Sequence, residues 1–380
     1  MINPKIPRSL RALIEKKIGQ QKVILIFGSR RTGKTFLVTE VFDSFSGKKL
    51  LLNGEDLGVQ RKLGKRIIED YKSQFLGTAL LCIDEAQHIQ DVGLVLKMLI
   101  DHVPGITIIA TGSSAFDLYG KSGEPLTGRS YTFSMYPISI KEISGSLHPF
   151  QLDRSLLEFL RFGSYPEIFQ LQLDAEKESY LYDLVQSYLM KDILSYEGIK
   201  YASKVKELLL LIAYQMGQEV SLNELSRSLS IHKNTVERLL DLLHKNFVIF
   251  PITGYGSNLR KEVTKSKKWY FYDCGIRNAL IRNFKSIDER EDRGALFENF
   301  FINERMKKSQ RDQIHSEWFF WRTYEQREVD FLEINNGQIN AFECKWSTTK
   351  KYKAPKQFRD IYPDAVTSIV TAKNWLEYIL

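Results

Sequence analysis

One stretch limits the fold more than any other. The uninterrupted apolar run Val23-Ile24-Leu25-Ile26-Phe27 leads directly into Gly28-Ser29-Arg30-Arg31-Thr32-Gly33-Lys34-Thr35. An apolar run without alternation predicts a strand buried on both faces, as found in parallel sheets covered by helices. The eight residues after the run read G-x-x-x-x-G-K-T, a loop that wraps phosphate oxygens. Gly28 and Gly33 lack the Cβ atoms that would keep backbone N–H groups from curling around a small anion. A helix predicted to begin near Gly33 adds its positive end, Lys34 places an ammonium on the β and γ phosphates, and Thr35 offers a hydroxyl to Mg²⁺. Gly28, Ser29, Arg30, Arg31, Thr32, Gly33, Lys34 and Thr35 are therefore the expected nucleotide-binding residues.

A cradle alone does not hydrolyse anything, so the acids must come from elsewhere. Leu80-Leu81-Cys82-Ile83-Asp84-Glu85 predicts a second buried strand with two acids at its carboxyl end, where open α/β sheets place ligands. Asp84 would hold Mg²⁺ through water, and Glu85 would orient and polarise the attacking water. The competing reading makes Asp84 a helix cap. A third strand, Thr107–Thr111, ends in Gly112-Ser113-Ser114; Thr111 or Ser113 is either a phosphate sensor or a cap. Arg129 precedes the alternating segment Ser130–Ser134. It either steadies charge on the transferring phosphoryl, in its own chain or a neighbouring subunit, or is a surface arginine. The expected ligands are ATP and Mg²⁺.

These residues resemble the AAA-like prokaryotic P-loop ATPases, of the class whose base is a glutamate beside the Mg²⁺-binding aspartate. The resemblance continues through Phe162-Gly163-Ser164-Tyr165-Pro166-Glu167 and Phe271-Tyr272-Asp273-Cys274-Gly275. Both segments are similar to signatures of a domain of unknown function that follows this ATPase in many bacterial and archaeal chains. The resemblance implies an ATPase core, a winged-helix middle and a nuclease-like end. Ser164 departs from the second glycine expected in that signature. Asp84-Glu85-Ala86-Gln87 invites comparison with helicases, but the paired arginines of a second motor lobe do not follow, and that label is rejected.

At 380 residues the chain exceeds one ordinary domain. Cys82, Cys274 and Cys344 lie far apart, without metal-ligand spacing, and read as reduced core thiols. No apolar run approaches membrane-spanning length, so the expectation is a cytoplasmic protein without a membrane partner. A formal charge of +8 makes an anionic partner plausible. The charges cluster at Arg260, Lys261, Lys265, Lys267 and Lys268, at Arg305, Lys307 and Lys308, and at Lys350, Lys351, Lys353 and Lys356.

The first cluster adjoins a helix-turn-helix pattern. Ser221 is placed to cap a helix Leu222–Leu229 with Glu224 at the capping-box position, Ser230-Ile231-His232 forms a turn, and Asn234–Lys245 forms a second helix. Phe247–Ile252 and Lys268–Tyr272 then read as the strands of a wing. Lys233, Asn234, Thr235 and Arg238 would face outward, chemically able to contact DNA. Winged helices also serve as protein-contact modules, so a protein partner or a homo-oligomer stays open.

The last third holds a second set of chemistry-bearing residues. Glu298 falls in a helix-like stretch. Asp330 sits mid-strand, and after an Asn336-Gly337 turn Glu343 and Lys345 share one strand face. This D-x(12)-E-x-K pattern resembles the restriction-endonuclease-like fold, in which two acids hold Mg²⁺, a lysine helps activate water, and a helical acid such as Glu298 assists. A cross-strand salt bridge between Asp330 and Lys345 is the plainer alternative. The expected plan is α/β throughout: a P-loop parallel sheet over residues 1–145, a helical and winged-helix domain over 150–285, and a small restriction-endonuclease-like domain over 290–380.

Overall fold

The computed structural model describes residues 6–113, 126–189, 202–256, 267–323, 325–347 and 353–380. Ser114, Arg260, Lys261, Lys265, Lys350 and Lys351 lie outside the described residues. The chain divides into two compact units, Met1–Ile138 with Lys245–Phe247, and Ser139–His244 with Val248–Leu380. Among the described residues, no helix is long and apolar enough to cross a membrane.

The first unit is built on five strands: β1 (Val23–Phe27), β2 (Lys49–Asn53), β3 (Leu80–Asp84), β4 (Thr107–Gly112) and β5 (Ser130–Ser134). All pair in parallel, in the order β2-β3-β4-β1-β5. The central strands are the apolar runs, and their alternation divides the core by face. Val23, Leu25, Phe27, Leu81 and Ile83 pack with the helix Val92–His102; Ile24, Ile26, Leu80 and Cys82 pack with the helices Leu10–Glu15 and Lys34–Ser44. Each fully buried side chain of this size contributes about 1.5–3 kcal/mol. Because β4 lies between β1 and β3, the loop after β1 and the acids ending β3 share the carboxyl edge, with the end of β4 between them.

The second unit carries β6 (Glu219–Val220), β7 (Ile249–Gly254), β8 (Lys267–Phe271), β9 (Glu317–Arg322), β10 (Glu328–Asn335), β11 (Gln338–Cys344) and β12 (Val366–Val370). They form one sheet in the order β12-β11-β10-β9-β7-β8-β6. The sequence suggests a boundary between residues 285 and 290, but the sheet runs across it through the parallel pairs Thr253↔Phe319 and Gly254↔Phe320. The turn between β10 and β11 puts Asn336 at φ 48° and Gly337 at φ 81°, the conformation a two-residue Asn-Gly hairpin requires.

The helices Leu222–Leu229 and Lys233–Lys245 flank a short turn, with Val236, Leu239, Leu240 and Leu243 buried. Lys233, Asn234 and Arg238 are exposed and Thr235 is half-buried. The Ser221 capping box does not form: the Ser221 side chain makes no cap bond, and Glu224 accepts instead from Gln215 Nε2 at 3.2 Å.

The segments Phe162–Glu167 and Phe271–Gly275 meet at Asp273. Its carboxylate accepts from Ser164 N at 2.7 Å and from Ile276 N at 3.1 Å, heading the helix Cys274–Leu280. A Cβ on Gly163, which sits at φ +72°, would collide with that carboxylate, and one on Gly275 would collide with the Phe162 carbonyl. Close approach requires both glycines.

Candidate functional site

The loop between β1 and the helix Lys34–Ser44 closes on itself. Thr32 Oγ1 donates to the Ser29 carbonyl at 2.7 Å, while Lys34 Nζ donates to the Gly28 carbonyl at 2.7 Å and to Ser29 at 3.1 Å. Gly33 lies in the left-handed region at φ +93° and Arg31 at φ +55°. Gly28 is needed for a different reason: a Cβ there would strike the Met135 carbonyl. Arg30 is half-buried beside it in the loop.

The acids of β3 connect to this loop by hydrogen bonds. Thr35 Oγ1 donates to Asp84 Oδ2 at 2.7 Å, and Thr111 Oγ1 donates to Asp84 Oδ1 at 2.5 Å. The fully buried Thr111 hydroxyl also accepts from Glu85 N at 3.0 Å, so one side chain holds the Asp84 carboxylate and the Glu85 main chain. Glu85 itself sits at φ +48°, and Gly54 allows the Glu85 carbonyl to pass where a Cβ would block it. Gln87 Nε2 donates to Glu85 Oε2 at 2.5 Å. Register sets Gly112 beside Phe27, which brings Ser113 level with Gly28 on the same edge.

Arg129 is elsewhere. Its carbonyl accepts from Val23 N at 2.9 Å, at the start of β1, and its Nε pairs with Asp101 Oδ1 at 2.7 Å. The five residues of β1 therefore separate it from the loop, about 16 Å at ~3.3 Å per residue. A role for Arg129 at the loop of its own chain is corrected by this placement.

The oxygens of Thr35 and Asp84 are hard donors 2.7 Å apart, a donor set suited to Mg²⁺ beside a phosphate cradle. The left-handed Gly33 gives the cradle its curl. The residues present thus fit a nucleotide with its metal ion.

The second unit gathers its own charged cluster. Phe331 pairs with Phe342, which sets Asp330 opposite Glu343. The pairing of β10 with β9 shifts register between Val329 and Leu332, the stretch that holds Asp330. Lys345 Nζ lies 2.8 Å from Glu343 Oε1 and 3.9 Å from Asp330 Oδ2, and Cys344 N donates to Asp330 at 2.8 Å. Glu298, on the helix Arg293–Arg311, accepts from Tyr270 OH at 2.6 Å and lies 3.9 Å from Lys268 Nζ, which also pairs closely with Glu328.

Burial pushes the Glu298 carboxyl up to about 8, opposed by Lys268 and reinforced by Asp330. Burial works against the Lys268 ammonium too, but Glu298 and Glu328 together hold it above its usual range. Glu343 Oε2 is buried without a hydrogen-bond partner, an acceptor left unsatisfied. Even so, among the described residues no three His, Cys, Asp or Glu side chains are grouped to hold a metal ion.

Sequence reading missed Lys268, Tyr270, Glu328 and Gln87. The available signal was spacing: Lys268 and Tyr270, like Glu328 and Asp330, stand two apart on a strand and share a face. Three members of the basic clusters turn inward. Lys268 is only 2% exposed; Arg305 pairs with Glu333 and Lys307 with Glu304, so these cations serve internal partners. Lys353 and Lys356 remain exposed.

The parallel sheet, the curled loop and the paired acids define an AAA-like P-loop ATPase, followed by domains of unknown function in an α/β chain. Residues 20–144 match the model of an AAA domain, residues 153–287 that of a domain of unknown function (DUF8612), and residues 293–377 that of another (DUF4143). The chain is similar to an uncharacterized protein of Mycobacterium tuberculosis, 26% identical over 346 residues, covering 90% of this chain and 74% of the relative. It is also similar to an uncharacterized protein of Methanocaldococcus jannaschii, 29% identical over 336 residues, covering 76% and 69%. Among solved structures, a Walker-type ATPase of Pyrococcus abyssi aligns with TM-score 0.47 and 14% identity, over 74% of this chain and 99% of that one. The Thermotoga maritima RuvB Holliday junction branch migration motor aligns with TM-score 0.32 and 17% identity, over 65% and 92%.

Proposed function

We propose that the first unit binds and hydrolyses ATP with Mg²⁺, and that its nucleotide state governs a DNA-associated, winged-helix and nuclease-like second unit. The observation that carries the hydrolytic part is the hydrogen-bonded chain from Thr35 through Asp84 and Thr111 to Glu85. Thr35 and Asp84 would hold Mg²⁺, which when bound neutralises phosphate charge. Lys34 would neutralise the terminal phosphates, Ser113 would lie beside them, and Glu85 would orient the attacking water and accept its proton. Arg129, remote from its own loop, would act in a neighbouring subunit of a homo-oligomer. ATP turnover tests the reading. Glu85→Gln should lower turnover about 10²–10⁴-fold while keeping ATP bound, and Lys34→Ala should weaken binding. Equal turnover in wild type and both variants would remove the assignment.

For the second unit, the exposed Lys233, Asn234 and Arg238 with the flanking Thr235 would meet DNA. Binding of labelled duplex should weaken steeply as salt rises. Glu298, Asp330, Glu343 and Lys345 would form the nuclease-like centre: cleavage supported by Mg²⁺ or Mn²⁺ should vanish in Glu343→Ala with ATP turnover intact. A second reading has its own observation. Lys345 already pairs with Glu343, and Lys268 with Glu298 and Glu328, so each is held by internal charge. On that reading the second unit is a catalytically inactive module that holds a protein partner, and duplex binding should be undetectable at low salt.

A further inference from the structure

Arg8 lies ahead of the helix Leu10–Glu15, outside the phosphate-loop motif, and only 8% of it is exposed. One arm of its guanidinium, Nη1, donates to the Thr32 carbonyl at 2.6 Å; the other, Nη2, donates to the Tyr136 carbonyl at 2.6 Å. Thr32 is within the loop, and Tyr136 follows β5 beside Met135, whose carbonyl packs on Gly28. The fork therefore ties the far end of the loop to the segment that supports its near end.

The peptide joining Thr32 to Gly33 is trans, so its C=O and N–H point in opposite directions. Glycine accepts either sign of φ at little cost, which leaves that peptide free to flip unless something fixes its carbonyl. A charge-assisted hydrogen bond, about twice as strong as a neutral one, supplies the fixing. With the carbonyl drawn out to Arg8, Gly33 N–H is aimed the other way and Gly33 is held at φ +93°.

We propose that Arg8 is a positioning residue for phosphate binding: it acts through the Thr32–Gly33 peptide, presetting the Gly33 N–H as a phosphate donor without touching the phosphate itself. The inference rests on the proposed nucleotide-binding role of the loop. A lysine keeps the charge but lacks the planar fork, so it can hold one carbonyl and not both.

The experiment compares wild type, Arg8→Met, Arg8→Lys and Lys34→Ala as full chains. It reads the Kd of a fluorescent ATP analogue, the turnover at saturating ATP and the nucleotide-free melting temperature. Arg8→Met should raise Kd about tenfold with saturated turnover within about threefold of wild type, and Arg8→Lys should fall between the two. Unchanged Kd in Arg8→Met overturns the proposal. Full recovery in Arg8→Lys overturns it as well, because charge alone would then suffice. If both Arg8 variants fail to fold, the role is structural and the proposal falls. If wild type binds no better than Lys34→Ala, the nucleotide reading itself fails, which is a separate outcome.

Discussion

Lys268 stays charged in a buried setting because Glu328 and Glu298 face it, while burial lets Glu298, bonded to Tyr270, keep its proton up to about 8. Removing one member should cost more than the pair contributes. Lys268→Met leaves Glu328 without its cation and should destabilise the second unit by about 3–5 kcal/mol in urea unfolding, with part of the loss recovered on adding Glu328→Gln. The pH dependence has a definite sign. Glu298 is raised to about 8 from an ordinary value of 4.5, so the folded state holds the proton more tightly in between. Its contribution is full below the unfolded value and is lost as pH rises through about 8. The urea midpoint should therefore fall as pH rises from about 4.5 to about 8, and Glu298→Gln should flatten that slope. Lys34, Thr35, Asp84 and Glu85 were legible because each belongs to a contiguous motif at a strand end. Lys268 and Arg129 were not. The letters give a charge, but not whether it turns inward or at which end of a strand it lies.

At the scale of elements, buried strands announced themselves as unbroken apolar runs, and β1, β3 and β4 came directly from them. The helix-turn-helix boundaries were equally readable, since apolar periodicity breaks at Ser230, which adopts φ +54°. The cap was not, because Gln215 competes for Glu224 from the end of the preceding helix. Nor could the sequence say that Phe162–Glu167 and Phe271–Gly275 meet: Ser164 and Asp273 are 109 positions apart, and only folding brings them within 2.7 Å. Gly163→Ala should destabilise by more than about 2 kcal/mol, by collision with Asp273 and by the strain of a positive φ. Gly294 has nothing within 4 Å of an added Cβ, so Gly294→Ala should change little. Thermal melts of the two variants check the contrast.

At the scale of the molecule, the sequence points to three domains and the structure to two compact units, because pairing between residues far apart in the chain leaves no local mark. The pairing of β7 with β9 makes the helix-turn-helix strands and the acidic cluster parts of one sheet, with Lys268 on β8 reaching the cluster. A fragment of residues 139–380 should melt cooperatively by circular dichroism. A fragment of residues 290–380, lacking the partner strand of β9 and the cation of Glu298, should not.

That seam also bears on how the protein is made. On the ribosome, β7 emerges well before β9, and at about 5–20 residues per second its open edge waits for several seconds. The first unit, by contrast, has all five of its strands once residue 134 is out. An unpaired edge with buried-type side chains invites intermolecular pairing, so the interval between β7 and β9 is when a nascent chain is most exposed to aggregation and to chaperone capture.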